Sequence, residues 1–335
     1  MSPMNLMNPM NPMSPMKTPE PVLRALSDAG SALLCAHIGP DGDTLGSTLA
    51  LCAALEALAK TVHLTCADPV PALYAYMPGS ARIVAPDTLA AERFDLAVAV
   101  DVSDGDRLGA ARPLFDAAPV RVVIDHHATN DCFGGVNWIE PQAAATGMMV
   151  LACIRDLGVP LTREMAEYLY AAISTDTGNF RFSNTDAAVL RAAAALVDAG
   201  AQPDKLTEQL FYTRSRAGVQ LRGRALSTLR LFAGGRAAVM TLTAQDFADT
   251  GAADSMTEGI VNYAIEIVGV EAAALARELD GEIKCSLRAR EPYDAAALAQ
   301  RFGGGGHARA AGCSLPLPMD CALRTLQGAM EELVG

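Results

Sequence analysis

Four short runs of almost unbroken apolar residues punctuate the first half of the chain: SALLCAHI (31–38), TVHLTCA (61–67), DLAVAVDVS (95–103) and VRVVIDHH (120–127). Strict alternation would mark strands with one wet face, whereas near-continuous apolarity marks strands covered on both faces of a parallel sheet. Helical stretches are expected between or after them, over 45–60, about 143–157 and 163–173. Strands alternating with helices predict an α/β domain. From about Asp186 to about Phe232 the text turns Ala-rich and reads as a helical connector. Beyond it come strand candidates at 236–242, 270–278 and 283–290, helices near 257–268 and 294–302, and a glycine loop, GGGGHARAAG, at 303–312. The expected organisation is a parallel-sheet domain with flanking helices over 17–190, a linker over 191–225 and a smaller mixed α/β domain over 226–335, with a cleft between the two domains.

The first 16 residues, MSPMNLMNPMNPMSPM, have neither a basic start nor a continuous apolar core. They are not a secretory signal; a disordered tail or an over-extended start site is expected there, outside the fold. No apolar run approaches the roughly 18–20 residues of a membrane span, so a soluble protein is expected. Eight cysteines occur with no C-x-x-C spacing, several inside apolar runs, which suits reduced thiols in the cytoplasm. The formal charge is −12. Proteins that track long duplexes usually carry a basic imprint, so a short anionic ligand held by a few local cations fits better. A homodimer is compatible with the sequence but not demanded by it.

Candidate chemistry collects where open α/β sheets bind ligands, past the carboxyl ends of strands. The first run leads to His37 and the loop carrying Asp41 and Asp43, the third to Asp101, and the fourth to Asp125, His126 and His127. A further group, STDTGNFRFS, offers Asp176 just past a helix. Four carboxylates within about 5 Å make six like-charge pairs of roughly 3 kcal/mol each at an effective dielectric near 20. Their sum, on the order of 20 kcal/mol, exceeds the stability of a typical domain. Such a cluster must bind cations, take up protons or spread apart. Asp41, Asp43, Asp101 and Asp176 together carry −4, which two divalent ions would neutralise. Imidazole mixed with carboxylate and no thiol suits Mn²⁺, with Co²⁺, Fe²⁺ or Mg²⁺ as alternatives, over structural zinc. Gly42 is expected to let the backbone turn sharply between Asp41 and Asp43.

His37-x-x-x-Asp41-x-Asp43, Val-Asp101-x-Ser, Asp125-His126-His127 and Thr-Asp176-Thr-Gly resemble the four motifs of the DHH phosphoesterase family, and the glycine loop with His307 resembles its DHHA1 domain. The match runs from about residue 20 to about 330. The phrase EGIVNYAIEIVGVE (258–271) is most similar to the branch of oligoribonucleases (nano-RNases) that also act as pAp phosphatases. The resemblance implies that His37, Asp41 and Asp101 hold one metal and that Asp43, Asp101, His126 and Asp176 hold the other. It implies that His127 faces the substrate phosphate while Asp125 orients an imidazole. In the second domain Arg288, Gly304, Gly305, His307 and Arg309, with Asn262 nearby, are implied to grip the substrate's other phosphate. Met148 stands where relatives often have an acidic residue, outside the ligand positions.

The blander readings are few. His63 sits mid-strand and reads as structural; Arg288 could be a solvated strand residue, and Asn262 and Tyr263 could simply pack their helix. The expectation is a two-metal hydrolase that degrades oligoribonucleotides of two to five units to mononucleotides and dephosphorylates adenosine 3′,5′-bisphosphate. Competing expectations are a linear or cyclic diadenylate phosphodiesterase, a single-stranded DNA exonuclease and a nucleotide-sensing module without turnover.

Overall fold

The computed structural model describes residues 16–335, and residues 1–15 of the Met-rich head lie outside the described residues. The chain divides into two compact units between Thr213 and Arg214. The first is built on strands β1 (Ser31–Cys35), β2 (Thr61–Thr65), β3 (Ile83–Val84), β4 (Leu96–Val100), β5 (Val120–Asp125) and β6 (Val136–Ile139). Their order across the sheet is β3-β2-β1-β4-β5-β6, all parallel. Strands run outward in both directions from β1 and β4, so the chain reverses its direction of winding between them, and a crevice opens at their carboxyl ends.

The four long apolar runs are strands, and their burial explains the pattern. In β4, Leu96, Val98 and Val100 pack into one core while Ala97 and Ala99 pack into another on the opposite face. Both faces are covered, so both sets of alternating positions must be apolar. The expected strands lose their last residues to loops, which frees 36–38, 101–103 and 126–127 to leave the sheet. β3 and β6 are short edge strands whose two to four residues carry no readable period.

The helices of this unit are α1 (Glu20–Asp28), α2 (Gly42–Ala57), α3 (Arg112–Ala117), α4 (Thr146–Asp156), α5 (Arg163–Asp176), α6 (Ala187–Asp198) and α7 (Pro203–Thr207). α2 is buried over nearly its whole length, which explains a sequence with almost no polar face. It packs between the sheet and α4 and α5, and Thr44 Oγ1 donates to the Val100 carbonyl at 2.8 Å, fixing its first turn against β4.

The second unit begins with α8 (Arg216–Ser227), and its sheet contains β7 (Arg230–Phe232), β8 (Ala237–Leu242), β9 (Ala272–Leu279), β10 (Glu282–Ala289), β11 (Gly305–His307) and β12 (Ala310–Pro316). The order is β11-β12-β10-β9-β8-β7, with only β8 and β9 parallel. Helices α9 (Ala244–Thr250), α10 (Ile260–Ile265), α11 (Ala295–Gln300) and α12 (Met319–Val334) flank it.

Two expectations are corrected here. The connector is not helical to Phe232: α8 stops at Ser227, where the Thr228 hydroxyl takes the Thr241 amide at 2.8 Å and starts the β7–β8 pairing. The stretch 303–312 is not simply a loop. Gly305, Gly306 and His307 pair antiparallel with Gly312, Ala311 and Ala310. Gly304 is required by contact, since a Cβ there would stand 2.1 Å from the Gly312 carbonyl oxygen. Among the described residues no helix is long and apolar enough to cross a membrane.

Candidate metal centre

The crevice at the ends of β1 and β4 gathers the acidic and imidazole side chains. His37, Asp41 and Asp101 offer three ligand atoms within 4.8 Å of one another; Asp43, His126 and Asp176 do the same, and so do Asp101, His126 and His127. His37 Nε2 lies 3.7 Å from Asp41 Oδ1 and 3.7 Å from Asp101 Oδ2. His126 Nε2 lies 3.2 Å from Asp176 Oδ2, 3.6 Å from Asp101 Oδ1 and 3.9 Å from Asp43 Oδ2. Ligands about 2.1 Å from one octahedral cation stand about 3 Å apart when adjacent and about 4.2 Å apart when opposite. The observed spacings fall in that interval, and the donor set fits hard divalent cations.

Local folding explains how each group arrives. Asp41 caps α2, with Oδ1 accepting the amides of Asp43 and Thr44 at 3.1 Å each. Such a cap both starts the helix and aims the carboxylate at its N-terminus. Gly42 does not make the sharp turn expected of it; it is the first residue of α2 and has no positive φ. It is needed for space, because a Cβ would meet Thr175 Oγ1 and Cγ2 at 2.5 Å. Asp101 has φ 64, a left-handed conformation uncommon for a residue with a side chain, and its amide donates to the Ile124 carbonyl at 2.9 Å. This backbone kink turns its carboxylate out of the sheet and into the crevice. Asp176 is the last residue of α5 rather than a residue just past it.

The His37 and His126 imidazoles are oriented alike. His37 Nδ1 lies 2.8 Å from the Ile38 carbonyl oxygen and His126 Nδ1 lies 3.1 Å from that of Ala143. A proton on each Nδ1, donated to these carbonyls, leaves each Nε2 lone pair pointing at the carboxylates, as metal-binding histidines require. His127 is held differently: its Nδ1 stands 2.8 Å from Asp125 Oδ1, and Asp125 Oδ2 accepts from Asn130 Nδ2 at 2.6 Å.

Electrostatics match the geometry. Burial, then the charges of Asp101, Asp176 and Asp41, hold the Asp43 carboxyl well above its usual range. Burial and neighbouring carboxylates raise Asp176 strongly and Asp101 in the same direction. Burial works against a charged His37, yet the adjacent carboxylates of Asp41 and Asp101 prevail and raise it. Protons thus stand where cations would: the cluster takes up positive charge in whatever form is available.

Ser47 and Thr146 contribute to the centre without having been among the residues expected there. Asp43 accepts from the amides of Thr146 and Gly147 at 2.6 and 2.9 Å, at the N-terminus of α4, and from Ser47 Oγ at 3.0 Å. Ser47 was findable, one helical turn beyond Asp43. Thr146, 103 positions away, was not. Its Oγ1 donates to Asp101 Oδ1 at 2.8 Å, and the residue is fully buried. Thr146→Val keeps the shape and removes that bond, so Mn²⁺ affinity is expected to fall about 10–100-fold in a calorimetric titration. Unchanged affinity would reduce the hydroxyl to packing.

In the second unit, His307 and Arg288 both register with Ala310, one from each side. Residues directly opposite across neighbouring strands share a face, so the two side chains lie in one row. Arg288 Nε donates to Asn262 Oδ1 at 3.1 Å, and burial lowers its guanidinium from the usual range. Arg309 is engaged elsewhere, with Nη1 on the Tyr293 carbonyl at 2.7 Å and Nη2 3.3 Å from Glu291.

Comparison with known proteins bears on this arrangement. The model of the DHH family N-terminal domain matches residues 31–173, and that of the DHHA1 domain matches residues 234–334. The chain is 35% identical over 319 residues to the bifunctional oligoribonuclease and PAP phosphatase NrnA of Thermus thermophilus, covering 93% of this chain and 92% of that protein. It is 27% identical over 304 residues to the protein of the same name in Bacillus subtilis, covering 88% and 92%. Its structure is similar to the crystal structure of an exopolyphosphatase-related protein from Bacteroides fragilis, with a TM-score of 0.88, 26% identity and coverage of 93% and 94%. With both domain models in order along its length and a relative of this identity matched almost end to end, the chain belongs to the DHH family.

Proposed function

We propose that the chain is a two-metal phosphoesterase that hydrolyses short oligoribonucleotides to mononucleotides and removes the 3′-phosphate of adenosine 3′,5′-bisphosphate. The observation that carries this reading is the pair of His/Asp triads in one crevice, with Asp101 lying against both. His37, Asp41 and Asp101 would hold one cation and Asp43, His126 and Asp176 the other, with Asp101 shared. A bound pair of divalent cations, most naturally Mn²⁺, lowers the pKa of water and offsets charge gained by phosphate oxygens. Near-complete similarity to proteins named bifunctional oligoribonuclease and PAP phosphatase supports the substrate class.

His127 is assigned to the phosphate. Burial opposes its charge, but the hydrogen bond to Asp125 and the charges of Asp101, Asp125 and Asp176 push its pKa up to about 9. Cations at Asp101 and Asp176 would trim that rise and leave Asp125, itself held ionised below the usual range, as its main support. With Nδ1 tied to Asp125, Nε2 is the atom that donates to a phosphate oxygen and can pass its proton to the leaving oxygen. Arg288, His307 and the backbone at Gly305 are assigned to a second phosphate, with Asn262 holding Arg288 and Arg309 contributing charge; the Gly304 amide, expected to share in this, is instead given to the Ala299 carbonyl at 3.0 Å.

A panel of adenosine 3′,5′-bisphosphate, a dinucleotide, a pentanucleotide, cyclic diadenylate and a long single strand, run with Mn²⁺ and with chelator, tests this. Fast Mn²⁺-dependent cleavage of the short substrates is expected, with the long strand cleaved at least about tenfold more slowly. Preference for the long strand, or turnover undiminished by chelator, would overturn the reading.

A further inference from the structure

Arg107 lies beside the metal-centre candidates but belongs to none of the motifs. Asp104 caps the turn that carries it, with Oδ1 accepting the amides of Asp106 and Arg107 at 3.1 and 3.0 Å. The Arg107 carbonyl accepts the Ile38 amide at 2.8 Å, which fastens the residue to the His37 loop. Its side chain goes to the same place. Nη2 stands 2.9 Å from His37 Nδ1 and 3.3 Å from the Ile38 carbonyl oxygen. The guanidinium makes no ion pair among the described residues, and its Nε is buried without a hydrogen-bond partner. A half-buried guanidinium has five donors in a planar fork suited to carboxylate or phosphate. Here, in a crevice crowded with carboxylates, that fork is spent on a ring nitrogen and a carbonyl.

The contact with His37 cannot survive metal loading. Nδ1 has two neighbours with opposite demands, the Ile38 oxygen at 2.8 Å and Arg107 Nη2 at 2.9 Å. It can donate to the first or accept from the second, not both. A cation held by His37, Asp41 and Asp101 takes the Nε2 lone pair, so the neutral ring must carry its proton on Nδ1, toward Ile38. Nη2 would then lose its acceptor on the ring while remaining beside the His37 imidazole, on the Nδ1 side. We propose that Arg107 is a substrate-binding residue: in the metal-loaded protein its guanidinium leaves the His37 ring and holds a non-bridging oxygen of the phosphoryl group being hydrolysed. This rests on the phosphoesterase reading above only in taking a phosphate to be the group bound at this centre.

The test uses the full chain as wild type, Arg107→Ala and Arg107→Lys, measuring Mn²⁺ affinity first and then the affinity of orthophosphate for the Mn²⁺-loaded protein, both by calorimetry. Mn²⁺ affinity is expected to stay within about threefold in both variants, because the proposal has the guanidinium away from the His37 ring in the loaded protein, where Nδ1 donates to the Ile38 carbonyl instead. Orthophosphate affinity is expected to fall about 30-fold in Arg107→Ala and less in Arg107→Lys, with partial recovery of the Ala variant on adding about 10 mM guanidinium ion. Orthophosphate binding at wild-type strength in the Ala variant would overturn the proposal. So would a loss of Mn²⁺ affinity by the same factor as the phosphate loss, since Arg107 would then merely support His37, and so would a wild-type protein whose loaded centre takes no orthophosphate. The expected binding pattern in a protein that cleaves no nucleotide would instead remove the nucleotide reading and leave Arg107 in its role.

Discussion

Asp101→Asn is expected to lower Mn²⁺-dependent dinucleotide hydrolysis by at least about a thousandfold, the equivalent of several kcal/mol of lost charge stabilisation by cations. Asparagine is the informative replacement. It tolerates the left-handed backbone at φ 64 better than most residues, and its side-chain oxygen can still accept from Thr146 Oγ1. What it removes is charge. Asp101 is 2% exposed, faces His37 and His126, and lies against both triads, so its neutral form leaves each cation site one carboxylate short. The same change should make the metal-free protein more stable at pH 8, because it deletes one member of a mutually repelling buried set. Loss of activity together with a raised metal-free melting temperature distinguishes ligand removal from unfolding. Activity within tenfold of wild type would remove Asp101 from the centre.

Much of the candidate centre was legible because its acidic and imidazole residues sit where chain direction changes. His37, Asp101 and Asp125 each follow a run of buried strand residues, and a polar residue there must either cap, pair or bind. Asp41 also caps α2, a role that the expected helix start at residue 45 did not assign to it. Thr146 and Arg107 were not legible, and the cause is the same for both. Each acts through contacts with residues distant in sequence, at separations of 45 and 103 positions for Thr146 and of 69 and 70 for Arg107, and none of these contacts leaves a local pattern. Gly42 shows the reverse error. A glycine between two aspartates reads as a turn, but it is there because α5 passes too close for a side chain, and helix-to-helix spacing is not a local property. The hairpin at 305–316 was missed because glycines suppress strand signals even when their smallness is what lets two strands close.

Stripping the metal should make stability fall as pH rises from 5.5 to 8.5, and Mn²⁺ should reverse that trend. Asp43, Asp101 and Asp176 have folded-state values raised above the ordinary 3.8, so the folded metal-free chain keeps protons that the unfolded chain has released. Where the folded state binds more protons, stability is highest below the unfolded value and is lost as pH climbs through the folded ones. His37 and His127 act in the same sense, being raised above 6.5, in the case of His127 to about 9. Asp41 and Asp125 are lowered; their contribution is lost only as pH falls through their depressed folded values, and so it is constant across this window. Cations replace the protons and compete best where protons are scarce, so stabilisation by Mn²⁺ should grow with pH. At concentrations about a thousandfold above its dissociation constant, the ion contributes about 4 kcal/mol, or about 10 °C in melting temperature for a unit of this size. The expected result is a metal-free melting temperature that drops between pH 5.5 and 8.5, and a Mn²⁺ increment of about 10 °C at pH 8.5 that shrinks at pH 5.5. A metal-free curve that stays flat or rises over that interval would mean the buried carboxylates are not crowded together, and both cation sites would go with them.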